Sequence, residues 1–485
     1  MGSQFISVNG RKKMNKQEPI QYGHAKTKAL IRQQLQDIDR AEIRAKAEVI
    51  LGKDIAELQR AVTEHRLTYE QLVAFYLDRI ERSIELNAVI EISPTIMAEA
   101  KKCDQERPSD PNLLYGMPLT LKDNIASVGM PFSVGTYYLR EFMPPKDAQL
   151  VTQLKEKGAL ILGKANLSEL ANYVSPAMPS GYSSKAGQTR NPFGPLTLTP
   201  SGSSSGSAAG VAAELSVASI GSETTGSIVS PAAIQSVVGF KPSQQAISAK
   251  GVFPLATPLD VTGPLTKNIF DAAVIYNAMA KKQAPKVELA KLKQATLSGK
   301  RLGVLTGDEK LITTLQNLGA TLCMIELDPV GVDNLAVIDN NFKFNVAEFA
   351  AEFELPFKSL EQLLAYNAQD LKRRARYGQE LVEKAAKVSE HDPFLDKKQL
   401  QLAQKYLLEL FEREELDAIV TLDYDDILTP AVAGYPEVMI PFGRNAAGEP
   451  RGVLFFAKAK HDPQLLELAY AFEQGTKERL VPQIF

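Results

Sequence analysis

The stretch from Ser201 to Ser227 constrains this chain more than any other. Ser201-Gly202-Ser203-Ser204-Ser205-Gly206-Ser207 runs straight into Ala208-Ala209-Gly210-Val211-Ala212-Ala213-Glu214-Leu215, an almost wholly apolar segment. A strand-like run from Ser216 to Ile220 follows, and then a second small-residue cluster, Gly221-Ser222-Glu223-Thr224-Thr225-Gly226-Ser227. A helix that is apolar on every face has to be buried. Flexible linkers, by contrast, are flanked by polar or proline-rich sequence. Loop, buried helix, strand, loop is therefore a core unit and not a tether.

Glycines and small hydroxyl residues let backbone amides and serine oxygens come close to a ligand. No Gly-Lys-Ser/Thr closes the glycine run, which removes the phosphate-binding P-loop. Gly202-Ser203-Ser204-Ser205-Gly206 has one residue too many for a Gly-x-Ser-x-Gly nucleophile elbow, and Gly226-Ser227 lacks a glycine two residues on. The four histidines, His24, His65, His391 and His461, all lie outside the span from Lys122 to Val229. A Ser-His-Asp triad can draw on distant segments, but so few histidines in polar surroundings disfavour it. Cys103 and Cys323 offer neither zinc spacing nor a disulfide framework, and a reducing compartment is expected. Upstream, Gly116-Met117-Pro118-Leu119-Thr120-Leu121-Lys122-Asp123-Asn124-Ile125 ends an apolar run on a lysine. Lysine, two serine-rich turns and no nearby histidine point to a serine hydrolase whose base is an amine.

These segments resemble the amidase signature enzymes. The likeness rests on Lys122-Asp123-Asn124, Gly202 to Ala209, Gly221 to Ser227 and Pro231-Ala232-Ala233. It extends through Gly163-Lys164-Ala165-Asn166, Gln188-Thr189-Arg190-Asn191-Pro192, Val238-Gly239-Phe240-Lys241-Pro242 and Ala433-Gly434-Tyr435-Pro436, covering roughly residues 50 to 480. Most family members carry Gly-Gly-Ser followed two residues later by arginine; here Thr225 and Val229 stand at those places. Glu223 and the Gln188-to-Pro192 wording look more like the peptide amidase branch.

The resemblance implies an α/β fold with a central mixed sheet and helices on both faces. It implies an amidase that cleaves carboxamide C–N bonds through an acyl-serine, without metal or organic cofactor. Ser227 matches the family's nucleophile and Ser203 its bridging serine, held by a cis peptide bond; Ser204 and Ser205 are the register alternatives. Lys122 is then the base. Lysine is protonated at neutral pH in water, and burial among Leu119, Leu121 and Ile125 would disfavour the charge. The amides of Thr224, Thr225, Gly226 and Ser227 are expected to bind the oxyanion. A β-branched residue tolerates positive φ poorly, so the turn is expected to keep Thr225 at negative φ, with its methyl and hydroxyl shaping the pocket. The expected substrate is the C-terminal amide of a peptide or a related small amide. The rivals are a glutamyl-tRNA amidotransferase A-type subunit, which Thr225 and Val229 argue against, and a non-catalytic binding protein on the same scaffold.

With 485 residues, 44% of them hydrophobic, the chain can bury a large core, and a net charge of −2 offers no field for nucleic acid or anionic membrane. No apolar run reaches the roughly 20 residues that span a bilayer, and without a signal-like N-terminus the cytoplasm is expected. Residues 1–48 stand apart as a basic tail and helix, with ten Lys/Arg against five Asp/Glu, and 49–485 are expected to form the amidase domain. Residues 1–20 read as disordered and 25–50 as one helix packed on the enzyme. Residues 357–415 read as charged helices on which Lys372, Arg373, Arg374 and Arg376 form a solvated face. Asp423-Tyr424-Asp425-Asp426 reads as a surface turn.

Overall fold

The computed structural model describes residues 20–484. Its strands are β1 (Val89–Ile92), β2 (Pro118–Lys122), β3 (Leu160–Ala165), β4 (Tyr182–Ser183), β5 (Gly187–Gln188), β6 (Ala218–Glu223), β7 (Val238–Lys241), β8 (Val261–Thr266), β9 (Arg301–Val304), β10 (Thr321–Met324), β11 (Ala418–Leu422), β12 (Glu437–Arg444) and β13 (Pro450–Phe456). Eleven of them form one sheet in the order β1-β3-β2-β6-β8-β7-β12-β13-β11-β9-β10, while β4 and β5 make a separate hairpin. Strand β2 runs parallel to β3 and β6, and β11, β9 and β10 are parallel; the other pairings are antiparallel. This is the mixed α/β sheet the sequence suggests.

Side chains alternate across a strand, and the core divides accordingly into two apolar layers. Val438, Ile440, Phe442, Val453 and Phe455 face one layer, with the helices Tyr69–Arg82, Ile269–Met279 and Asp462–Thr476. Met439, Leu454 and Phe456 face the other, with Val229–Ile234, Asn334–Glu352 and Pro393–Arg413. Helix starts follow local chemistry. Asp54 and Thr68 each form a reciprocal capping box, with Glu57 and Gln71 respectively.

Several boundaries differ from the sequence reading. The single helix expected over 25–50 is broken into His24–Gln34, Arg40–Ala45 and Ala47–Ile50, because Asp39 caps a new start by accepting from the Ala41 and Glu42 amides. Its arginines are paired: Arg32 and Arg40 with Glu81, and Arg44 with the buried Asp78 at 2.8 and 2.9 Å. The disorder expected for residues 1–19 lies outside the described residues. Ile20, by contrast, is engaged: its carbonyl accepts from the Gln188 amide at 2.8 Å.

The basic run at 372–376 is only partly solvated. Lys372 and Arg376 are exposed. Arg373 donates to the Ser184 carbonyl and stacks 3.6 Å from the Tyr22 ring centroid, and Arg374 lies 3.8 Å from that of Tyr366. Planar guanidinium groups favour such stacking over full hydration. The acidic turn is tied to β13, since the Asp423 amide donates to the Gly452 carbonyl at 2.8 Å.

Candidate active site

Strand β2 is buried along its whole length, and Lys122 is its last residue. Adjacent Leu121 pairs with Ile220 of β6, which brings Lys122 beside the Gly221–Ser222 step at the carboxyl ends of two parallel strands. Ligands of open α/β sheets bind at such ends. The apolar segment after Ser204 forms the helix Ser205–Ala212, every residue of which is buried. Two glycines allow it to sit there. A Cβ at Gly206 would lie 2.4 Å from the Ala88 carbonyl oxygen, and one at Gly221 would lie 2.9 Å from Ser204 Oγ.

Lys122 is fully buried, and its Nζ donates to Ser203 Oγ at 2.7 Å, the Ser222 carbonyl at 2.9 Å and Ser222 Oγ at 3.0 Å. Burial lowers its pKa to about 7, against the opposing pull of the Glu223 and Asp260 carboxylates. Asp123, the obvious partner for a surface lysine, is engaged elsewhere. It accepts from the Ser133 hydroxyl and faces Lys185 at 3.6 Å and Lys164 at 3.9 Å.

The Gly202–Ser203 peptide bond is cis. Of the three candidate serines, Ser203 is the one that meets the lysine. Ser204 Oγ donates to the Ser222 carbonyl at 3.1 Å, and Ser205 Oγ to the Ser201 carbonyl at 2.6 Å. Ser227 is brought to the same place by its backbone, since its carbonyl accepts from the Ser204 amide at 3.1 Å. Its residue is 9% exposed, whereas Lys122 and Ser203 are at 0%. The lysine thus lies behind and Ser227 at the edge of solvent.

The turn itself is held by Glu223. That buried carboxylate accepts from the Gly226 and Ile228 amides at 2.6 Å and from Val229 at 3.1 Å. The Gly226 amide is therefore already committed, which departs from the expectation of four free donors. Among the described residues, no backbone or side-chain acceptor takes the amides of Thr224, Thr225 or Ser227. The left-handed position in the turn falls on Gly226, φ 77°, and Thr225 is spared it.

Sequence reasoning missed Ser222 and the full role of Glu223. Ser222 Oγ also accepts from Asn124 Nδ2 at 2.8 Å, so strand end and motif are linked through one hydroxyl. The signal lay in β6, which continues to Glu223 instead of ending at Ile220. Asp260 was missed too; it accepts from Thr224 Oγ1 at 2.6 Å. The histidines lie elsewhere: His24 contacts Asn87 and Glu85, and His391 contacts Asp396. Among the described residues, no group of three or more His, Cys, Asp or Glu side chains could hold a metal ion, and no helix is long and apolar enough to cross a membrane.

The Amidase family model matches residues 71–331. An amidase family protein from Bacillus anthracis str. Ames superposes with a TM-score of 0.91 at 39% identity, over 96% of this chain and 99% of that one. The peptide amidase from Stenotrophomonas maltophilia superposes with a TM-score of 0.85 at 35% identity, over 90% and 99%. A probable amidase of Arabidopsis thaliana is 35% identical over 88% of this chain and 91% of its own length. More distant relatives, from Exiguobacterium sp. and Gloeobacter violaceus, are A-type subunits of glutamyl-tRNA(Gln) amidotransferase. With a buried lysine on a serine, beside a second serine in a glycine turn, the chain belongs to the amidase signature family and is an enzyme of carboxamide hydrolysis.

Proposed function

We propose that Ser227 is the nucleophile, Ser203 the proton relay and Lys122 the base in hydrolysis of the C-terminal amides of peptides. The observation that carries this reading is the 2.7 Å contact between Lys122 Nζ and Ser203 Oγ in a fully buried setting. A charged lysine has three N–H donors, and three acceptors meet it here. When it loses a proton, the two remaining N–H groups stay on Ser222 and the lone pair is left facing Ser203. Neutral Lys122 then takes the Ser203 proton as Ser203 takes that of Ser227, and Ser227 Oγ bonds to the substrate carbonyl carbon. The amides of Thr224, Thr225 and Ser227 receive the oxyanion. Collapse breaks the C–N bond, the proton returns through Ser203 to the departing amine, and water repeats the sequence to free the acid and Ser227.

The resemblance to the peptide amidase supports the substrate class. The amidotransferase reading is favoured by relatives of that name and opposed by Thr225 and Val229. A panel of peptide amides, aryl amides, fatty amides and glutamine, read by ammonia or amine release, separates them. Peptide amides are expected to turn over fastest, and preference for glutamine would transfer the assignment to the rival. Ser227→Ala is expected to lose both turnover and labelling by a fluorophosphonate while retaining its fold. Labelling that persisted in this variant would overturn the nucleophile.

A further inference from the structure

We infer that Asn334 and Thr225 form a recognition pair for the peptide unit adjacent to the scissile carboxamide. The inference rests on Ser227 being the nucleophile. Asn334 Nδ2 lies 3.3 Å from Thr225 Oγ1, a contact across 109 positions of sequence. Thr225 is two residues before Ser227 in the same turn, and both members of the pair are half-buried, so they border the accessible side of the site.

The chemistry of the pair is specific. With Asn334 Nδ2 donating, the Thr225 hydroxyl keeps its proton to give and Asn334 Oδ1 keeps its lone pairs. Among the described residues Asn334 Oδ1 has no partner, and it is open to solvent. Turning the carboxamide over exchanges the roles but still leaves a donor and an acceptor side by side. One donor beside one acceptor complements the C=O and N–H of a peptide unit, and a fatty or aryl amide carries no second such unit. Consecutive Cα atoms are about 3.8 Å apart, so the unit next to the scissile group stays within reach of a side chain two residues from the nucleophile.

The pair is also rigidly mounted, as a recognition element has to be. Asn334 opens the 19-residue helix Asn334–Glu352, whose N-cap Asp333 accepts from the Ala336 amide. The Asp333 amide donates to Gln399 Oε1 at 2.8 Å, and Val337 and Phe342 are fully buried. The family match ends at residue 331. The helix brings Asn334, which lies beyond that match, onto the turn that holds the nucleophile.

The test compares three substrates by ammonia release: acetyl-Ala-Phe-amide, its depsipeptide analogue with the internal N–H replaced by oxygen, and 3-phenylpropanamide. Asn334→Ala is expected to lower kcat/KM about tenfold for the first, while 3-phenylpropanamide changes less than twofold. The wild-type preference for the peptide over the depsipeptide is expected to disappear in the variant. Thr225→Val, which removes the hydroxyl and keeps the β-branch, should likewise abolish the preference for the peptide over the depsipeptide and guards against a folding defect in the helix. Equal losses on all three substrates, or a depsipeptide preference unchanged by Asn334→Ala, overturn the inference. Fluorophosphonate labelling of Ser227 tells the two failures apart. Labelled enzyme without the selective loss refutes the pair alone, and absent labelling refutes the nucleophile and the pair with it.

Discussion

Ser222 holds Lys122 by two atoms, its carbonyl at 2.9 Å and its hydroxyl at 3.0 Å from Nζ. The hydroxyl is fixed in turn by Asn124 at 2.8 Å. This arrangement aims the lysine's free valence at Ser203. Ser222→Ala removes one anchor and leaves the Asn124 amide without its partner. We expect kcat to fall ten- to a hundredfold, about 1.4–2.7 kcal/mol of barrier, and stability to fall by about 1–3 kcal/mol for the buried amide left unpaired. Ser222→Thr keeps the hydroxyl and should recover most of the loss. Steady-state kinetics of the two variants decide it, and an alanine variant as fast as the parent would remove Ser222 from the machinery.

As the proposed base, Lys122 is expected to set the pH dependence. Its pKa is lowered to about 7 by burial, so kcat/KM should fall tenfold per pH unit below that value and level off above it. Lys122→Arg should be nearly as inactive as Lys122→Ala, since guanidinium does not deprotonate in a protein. Stability follows the same shift. The folded pKa is depressed below the unfolded one, so the group's contribution is fully present above about 10.5 and is lost as pH falls to about 7. A Lys122→Met variant should therefore gain on the parent in urea melts as pH drops from 9.5 to 7. A difference that stays constant over that window would mean the buried lysine remains charged.

What the sequence makes legible here is whatever is local. Lys122 can be found because an apolar five-residue run ends on it, and Ser227 because a glycine turn precedes it. Thr68 can be read as a cap from its own neighbours. Ser222 is hidden because its meaning depends on the register of β6 against β2, a pairing of segments about 100 residues apart. Asn334 is hidden more deeply, since neither periodicity nor composition marks a polar residue at a helix start as facing a turn 109 positions away. Charge misleads in the same way. Arg373 reads as a solvated base until Tyr22 and the Ser184 carbonyl are placed beside it.

Glu223 links the geometry of the turn to Lys122. Its carboxylate accepts from three successive stations of the turn, Gly226, Ile228 and Val229, and its charge also raises the pKa of Lys122. Glu223→Gln puts a carboxamide NH2 where one of the acceptor oxygens stood, so a donor faces a donor, an arrangement that costs about 1–3 kcal/mol when buried. The turn should loosen, lowering kcat about a hundredfold with a smaller change in KM. Loss of the negative charge has a separate signature. Without it the charged form of Lys122 is less favoured, and the acid limb of the pH–rate profile should move below the parent's value near 7. Glu223→Asp keeps the charge on a side chain one methylene shorter, so it should impair the turn while leaving that limb in place. A role confined to holding the turn would slow both variants and leave both limbs where they are, so the profile of Glu223→Gln decides whether the carboxylate also tunes the base.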